Sequence, residues 1–136
     1  MFGTFQQAQL RIELEASATR IGDSILRPSE WPHWIGPQRF SANLPDRLVT
    51  GTTYTSWLGP LEIQHHVQWA NDRGLSLILA GAIDGHHEWH WGDGWLQSRV
   101  EGVSILPLRL GHVTSLLRLK AYLSRQNPTV RSGMAA

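Results

Sequence analysis

His65 is the side chain best placed to do chemistry. Residues 61–69 alternate, with Leu61, Ile63, His65, Val67 and Trp69 on one face and Glu62, Gln64, His66 and Gln68 on the other. This is the period-two pattern of a half-buried strand, and it turns His65 to the dry side with Ile63 and Val67. An imidazole in an apolar cleft can act as acid, base or hydrogen-bond anchor near neutral pH; the plainer alternative is a core histidine bonded to a backbone carbonyl. Tyr54 and Ser56 alternate with Thr53, Thr55 and Trp57, and whichever set faces inward puts a hydroxyl there. Ser98 shares an inward face with Leu96 and Val100. His112 lies on an apolar helical arc and could reach the same space from the opposite wall, so a His65–His112 pair is the sharpest acid–base arrangement on offer. Trp31 and Trp89 read as cavity walls, with Trp91 and His87 on the face of Trp89, since stacked aromatic walls suit a flat ligand. Ordinary core packing is the alternative for each tryptophan.

One metal-like spacing occurs. His86, Glu88 and His90 fall on one face of a strand, and two imidazoles with a carboxylate are zinc ligands. The opposite face carries Trp89 and Trp91 and is the natural interior, so this triad is expected to face water and no metal is expected. No Gly-rich phosphate loop, dinucleotide fingerprint or nucleophile-elbow motif is present, which leaves nucleotide and acyl-enzyme chemistry unsupported; no cofactor is expected.

These side chains need elements to hold them. Leu10, Ile12 and Leu14 alternate with Arg11, Glu13 and Glu15 as a first strand. Ser17 caps a short helix carrying Ile21, Ile25 and Leu26, which Pro28 ends. Ser29 caps a second helical turn reaching Trp34. Strands are then expected over residues 38–44, 51–58, 61–69, 75–83, 86–91 and 95–106. They are punctuated by Pro45-Asp46, Gly59-Pro60, the turn Asn71-Asp72-Arg73-Gly74, Asp84-Gly85 and Gly92-Asp93-Gly94. Such hairpin punctuation implies an antiparallel meander. Pro107 opens the longest helix, to about residue 125, with Leu108, His112, Leu116, Leu119 and Leu123 on one arc and Thr114, Arg118 and Arg125 opposite. The expected architecture is α+β: a curved seven-stranded antiparallel sheet, two short helices and a long C-terminal helix that roofs the apolar sheet face around a pocket. Residues 1–127 read as one domain and 128–136 as a flexible tail.

Composition fits a ligand-binding or catalytic domain and excludes other classes. A chain of 136 residues buries about 68% of its unfolded surface on folding. It has no cysteine, hence no disulfide or thiolate site. Twelve basic and eleven acidic residues give a net charge of +1, too balanced to attract nucleic acid. No apolar run approaches the roughly 20 residues of a membrane span, and the first ten residues lack signal-peptide character, so a cytoplasmic protein is expected. Seven tryptophans and seven histidines are the conspicuous bias. Nothing in the sequence sets an oligomeric state.

From Ala16 to Pro32 the chain resembles the opening segment of the polyketide cyclase/dehydrase family of START-like (SRPBCC) helix-grip proteins. That family has Ala-Pro ending its first strand, an aliphatic-Trp pair in the first helix and a Trp-Pro closing the second. Here stand Ala16-Ser17, Ile21-Gly22 and Trp31-Pro32. Val67 with the turn at Asn71-Asp72-Arg73, the hairpin Gly92-Asp93-Gly94, and Leu116, Leu119-Lys120 and Leu123 resemble its later motifs. Ser17 replaces the proline, Gly22 the tryptophan, and His65 and His66 stand on the strand where aromatic polyketide cyclases carry a pocket arginine. The resemblance spans about residues 8–125 and implies a helix-grip fold. It also implies an internal cavity for a small hydrophobic or aromatic ligand such as a lipid, isoprenoid, quinone or polyketide-like molecule. Trp31, Ile63, His65, Val67, Trp89, Ser98, His112, Leu116 and Leu119 are the expected lining. A carrier or sensor is the first expectation. The second is a cyclase/aromatase that moves protons with His65 and Tyr54. A third is an interaction protein whose groove is filled by its own tryptophans.

Overall fold

The computed structural model describes residues 3–126; the expected tail lies outside them. Seven strands form one antiparallel sheet: β1 (Thr4–Glu13), β2 (Arg39–Phe40), β3 (Thr53–Leu58), β4 (Leu61–Asn71), β5 (Gly74–Gly81), β6 (Ile83–Gly92) and β7 (Trp95–Ser104), in the order β1-β7-β6-β5-β4-β3-β2. Helix α1 (Ala18–Leu26) and a 3₁₀ turn (Pro28–His33) lie between β1 and β2, and α2 (Leu108–Gln126) follows β7. This is the expected α+β grip of a curved sheet by a C-terminal helix.

The sheet's inner face is built from odd positions of β4 to β6 and even positions of β7. Ile63, Val67, Leu75, Leu77, Leu79, Ile83, Trp89, Trp91, Leu96 and Val100 are all buried. Helix α2 lays Leu116, Leu119 and Leu123 against this face, each at most 2% exposed, and its contacts with the sheet run along β1 and β7. The roof is therefore seated to one side, and the space over β3 to β6 is left for the 3₁₀ turn and the chain that follows it. Ser17 caps α1 by accepting from the Arg20 backbone N–H at 3.1 Å. Two segments that carried the family resemblance also meet here. The Ala18 N–H donates to Asp93 Oδ1 at 2.7 Å, and the Gly94 N–H to the Ala16 carbonyl at 2.9 Å.

Several expectations need correction. The alternation of residues 61–69 breaks at a β-bulge: Val67 pairs with Leu77 but Trp69 with Ser76, so one extra residue intervenes. Trp69 consequently turns to the outer face, where it lies 5.8 Å from His90 and covers Gly74. Asp84-Gly85 is not a hairpin. The chain reverses at Gly81-Ala82, with Gly81 at φ +96°, and β6 runs through both Asp84 and Gly85. Gly85 and Gly102 face each other, and a Cβ on either would overlap the opposite backbone, so these glycines serve close strand approach. The strand expected at residues 38–44 shrinks to two residues because Asn43 adopts a left-handed conformation (φ 62°) ahead of Leu44-Pro45. Ser29 caps nothing; Pro28 opens the 3₁₀ turn with no side-chain cap. Strand β1 starts at Thr4, since it pairs with β7 along its full length.

Gly22 is required by packing against the sheet. A Cβ there would stand 2.9 Å from Trp91 Nε1 and 3.3 Å from two further ring carbons. Trp91, 1% exposed, reaches from β6 against the helix. The Trp91 ring thus occupies the space that a side chain at position 22 would need.

Candidate functional site

A cavity of about 380 Å³ lies between the inner sheet face, the 3₁₀ turn, residues 35–38 and one flank of α2. Trp31 and Trp34 form its wall on the 3₁₀-turn side. Their indole N–H groups donate to the Ile25 and Ser24 carbonyls of α1, at 2.9 and 3.0 Å, which fixes the rings. Trp31 packs at 4.8 Å from Phe40 and 5.2 Å from Tyr54, and Trp34 meets Trp89 edge-on at 6.2 Å. Leu75, Leu77, Leu79, Ile63, Ile83 and Val100 supply the aliphatic floor. Apolar walls with few polar groups are the usual make-up of a small-molecule site, and the volume falls in the usual range of about 300–1,000 Å³.

Three imidazoles face this space, on two strands and the helix. His65 Nε2 lies 2.9 Å from Ser56 Oγ, and its ring stacks on Tyr54 with centroids 4.4 Å apart and planes 7° from parallel. His87 Nε2 lies 3.0 Å from Ser98 Oγ. In both pairs the serine sits diagonally across the strand ladder: Ser56 is opposite Ile63 on β4, and Ser98 opposite Trp89 on β6. The two Ser–His pairs thus flank β5. His112 descends from α2 to meet His87 edge-on at 5.9 Å, and neither of its ring nitrogens has a hydrogen-bond partner.

Burial governs the charge state of this cluster. Desolvation pulls His65 and His112 down to about 4. His87 is lowered well below the usual imidazole value by desolvation and then by the nearby His112, His65 and His86. Burial likewise raises the Tyr54 hydroxyl. At neutral pH the interior is therefore uncharged, and each histidine offers one N–H donor and one lone pair.

The structure brings together Trp31, Tyr54, Ile63, His65, Trp89 and His112 around the cavity. It does not bring Val67, Leu116 or Leu119 there. All three are 0% exposed and spent on the contact between sheet and roof, because α2 sits over β1 and β7. Ser98, 1% exposed, is not in the lining and stands behind His87, bonded to its ring. The His65–His112 pair is replaced by two separate contacts, His65 on Tyr54 and His112 on His87. Trp34, His87 and Arg118 are lining residues that the sequence did not single out as such. His86, Glu88 and His90 share the outer face as expected, with the two Nε2 atoms 3.8 and 4.0 Å from Glu88 oxygens. His86 is engaged by Ser76 at 2.7 Å, and among the described residues no group of three such side chains is arranged to hold a metal ion. No described helix is long and apolar enough to cross a membrane.

No protein-family profile and no curated protein matches the chain. Solved structures do. Protein Mll3558 from Rhizobium loti superposes with a TM-score of 0.70 at 14% identity, covering 92% of this chain and 99% of that one. Protein CV1439 from Chromobacterium violaceum gives 0.68 at 17%, with 85% and 96% covered. DynU16, a protein in the dynemicin biosynthetic locus, gives 0.67 at 14% over 90% of this chain. The chain spans about half of DynU16, 48% of its length. These likenesses establish the fold.

Proposed function

We propose that the protein binds a small hydrophobic molecule with aromatic character in the cavity over β3 to β6, as a carrier or sensor. The observation that carries this reading is the lined space itself: about 380 Å³ walled by Trp31, Trp34 and Trp89 and left open by side chains that could have filled it. Trp31, Trp34 and Trp89 stack on the ligand, Ile63 and the β5 leucines pack beneath it, and His65, His87 and His112 provide neutral hydrogen-bonding edges. Burying apolar ligand area at about 25 cal/mol/Å² provides affinity without any reacting group. An acid–base catalyst works best with a pKa near the operating pH; His65 and His112, held near 4, and His87, lowered in the same direction, are better suited to anchoring than to shuttling protons at pH 7.

A second reading has one observation in its favour. The stacked Tyr54–His65 pair, braced by Ser56, faces the cavity, and DynU16 belongs by its description to the dynemicin locus. A cyclase-type enzyme would fold a poly-carbonyl chain against the tryptophans and use this pair for proton transfer.

Native mass spectrometry of the protein purified from its own host tests the first reading. A discrete small-molecule adduct, lost on denaturation, is the expected result. An unliganded mass combined with no saturable binding of the apolar fluorophore N-phenyl-1-naphthylamine would sink it. The enzyme reading instead requires turnover that Tyr54→Phe abolishes in a protein that still binds ligand.

A further inference from the structure

The cavity has a single formal charge at its margin. Of the residues lining it, Arg118 alone is a charged type; no aspartate, glutamate or lysine is among them. The other exposed lining residues, Pro37, Pro107, Leu110, Gly111 and Thr114, place the mouth where the N-terminal half of α2 faces residues 36–38. Arg118 stands there with Gln38, Thr114 and Ser115 beside it, so the polar groups of the mouth carry no negative charge.

Arg118 is the arginine that borders the cavity, and no carboxylate among the described residues pairs with it. Arg20, Arg27, Arg47 and Arg99 each form an ion pair with a carboxylate, and Arg11 and Arg39 lie over tryptophan rings. Arg118 enters none of the ion pairs among the described residues. Its Nε donates to the Trp34 carbonyl at 2.9 Å, which fixes the guanidinium plane and leaves the two terminal nitrogens unassigned. One of them, Nη1, comes within 3.9 Å of where a Gly36 Cβ would stand, so no side chain at position 36 covers it.

We infer that the ligand is an organic anion, a compact apolar or aromatic body bearing one carboxylate, held with the carboxylate on Arg118 at the mouth and the body inward on Trp34, Trp31 and Trp89. This rests on the ligand-binding reading above and deepens it. A guanidinium presents paired N–H donors that match a carboxylate edge. A charge taken deeper would meet only neutral imidazoles and hydrocarbon, at heavy desolvation cost; at the mouth it keeps part of its water. The orientation follows from those two terms.

Two fluorophores that share one body separate the charge from the apolar contact: N-phenyl-1-naphthylamine, which is neutral, and 8-anilinonaphthalene-1-sulfonate, whose sulfonate stands in for the carboxylate. Dissociation constants are measured for both with wild type, Arg118→Gln and Arg118→Lys, and with wild type from 50 to 500 mM NaCl. Arg118→Gln should weaken the anionic probe about tenfold, or about 1.4 kcal/mol, and leave the neutral probe within about twofold. Arg118→Lys should restore most of the loss, and salt should weaken only the anionic probe. Equal weakening of both probes would make Arg118 a latch for Trp34 and overturn the inference, as would an anionic probe indifferent to Arg118→Gln. If a variant misfolds, the wild-type salt series still decides: anionic-probe binding unmoved by salt overturns the inference. Failure of the neutral probe to bind wild type would instead remove the cavity reading itself.

Discussion

Buried neutral histidines should make this fold acid-sensitive well above the range in which carboxylates titrate. His65 and His112 are held near 4 by desolvation, whereas in the unfolded chain an imidazole titrates near 6.5. Because the folded-state value is depressed, the unfolded state binds protons more readily below pH 6.5. The stabilisation is complete above that pH and is lost as pH falls toward 4. Each group then costs about 2 kcal/mol by pH 5 and about 3.4 kcal/mol below pH 4. The two together remove about 4 kcal/mol by pH 5, against a typical total of about 5–15 kcal/mol, and His87 acts in the same direction. Urea unfolding followed by tryptophan fluorescence at pH 7.5, 6 and 5 should show this decline, and His65→Gln or His112→Gln should each flatten it by about 2 kcal/mol. Glu30, which burial alone would raise, is held below the ordinary carboxylate value by bonds from Tyr122 and Arg20, so its contribution fades only at lower pH. Stability unchanged between pH 7.5 and 5, or a slope indifferent to both substitutions, would refute the claim that burial keeps these imidazoles neutral.

Two further predictions concern the elements that frame the cavity. Gly22→Ala gains about 1 kcal/mol of helix propensity but drives a methyl into the immobile Trp91 ring at 2.9 Å, an overpacking worth about 1–3 kcal/mol; a net loss of about 1 kcal/mol in chemical denaturation is expected, and a more stable variant would show that Trp91 can yield. Tyr122→Phe removes the 2.6 Å bond to Glu30 that ties α2 to the 3₁₀ turn and should cost about 1.5–3 kcal/mol, whereas a melting curve identical to wild type would mean that the Arg20–Glu30 pair holds the turn unaided.

Much of this architecture is legible in the residues, and the exceptions share a cause. The arc of Leu108, His112, Leu116, Leu119 and Leu123 marks the buried stripe of α2 because helical period is a local property. Hairpins at Asn71–Gly74 and Gly92–Gly94 are likewise announced by local turn chemistry. Trp69 is misplaced because a bulge is set by pairing with the neighbouring strand, and alternation continues through it unchanged. Asp84-Gly85 looks like a turn, yet Gly85 answers a demand made by Gly102 on the next strand. The site follows the same division. His65 sits on a well-patterned strand and reaches the cavity, whereas the register that brings Tyr54 there is fixed only by its pairing opposite His65. Leu116 and Leu119 do not, since the helical wheel says that they are buried but not whether protein or open space lies beneath. Arg118 fails in the opposite sense: it points away from the core stripe, but the roof sits over β1 and β7, so that flank of α2 borders the cavity.

The facing glycines of β6 and β7 carry a consequence for how such a chain could change. Where Gly85 and Gly102 meet, main chain approaches main chain with no room for a Cβ, and none of the side chains that would touch a guest takes part. Shape and taste are thus written at different addresses. Tryptophans and histidines of the inner wall can be exchanged to suit another guest while the bowl keeps its form, whereas a single methyl at either glycine would pry two ribbons apart and spoil the vessel for every guest alike.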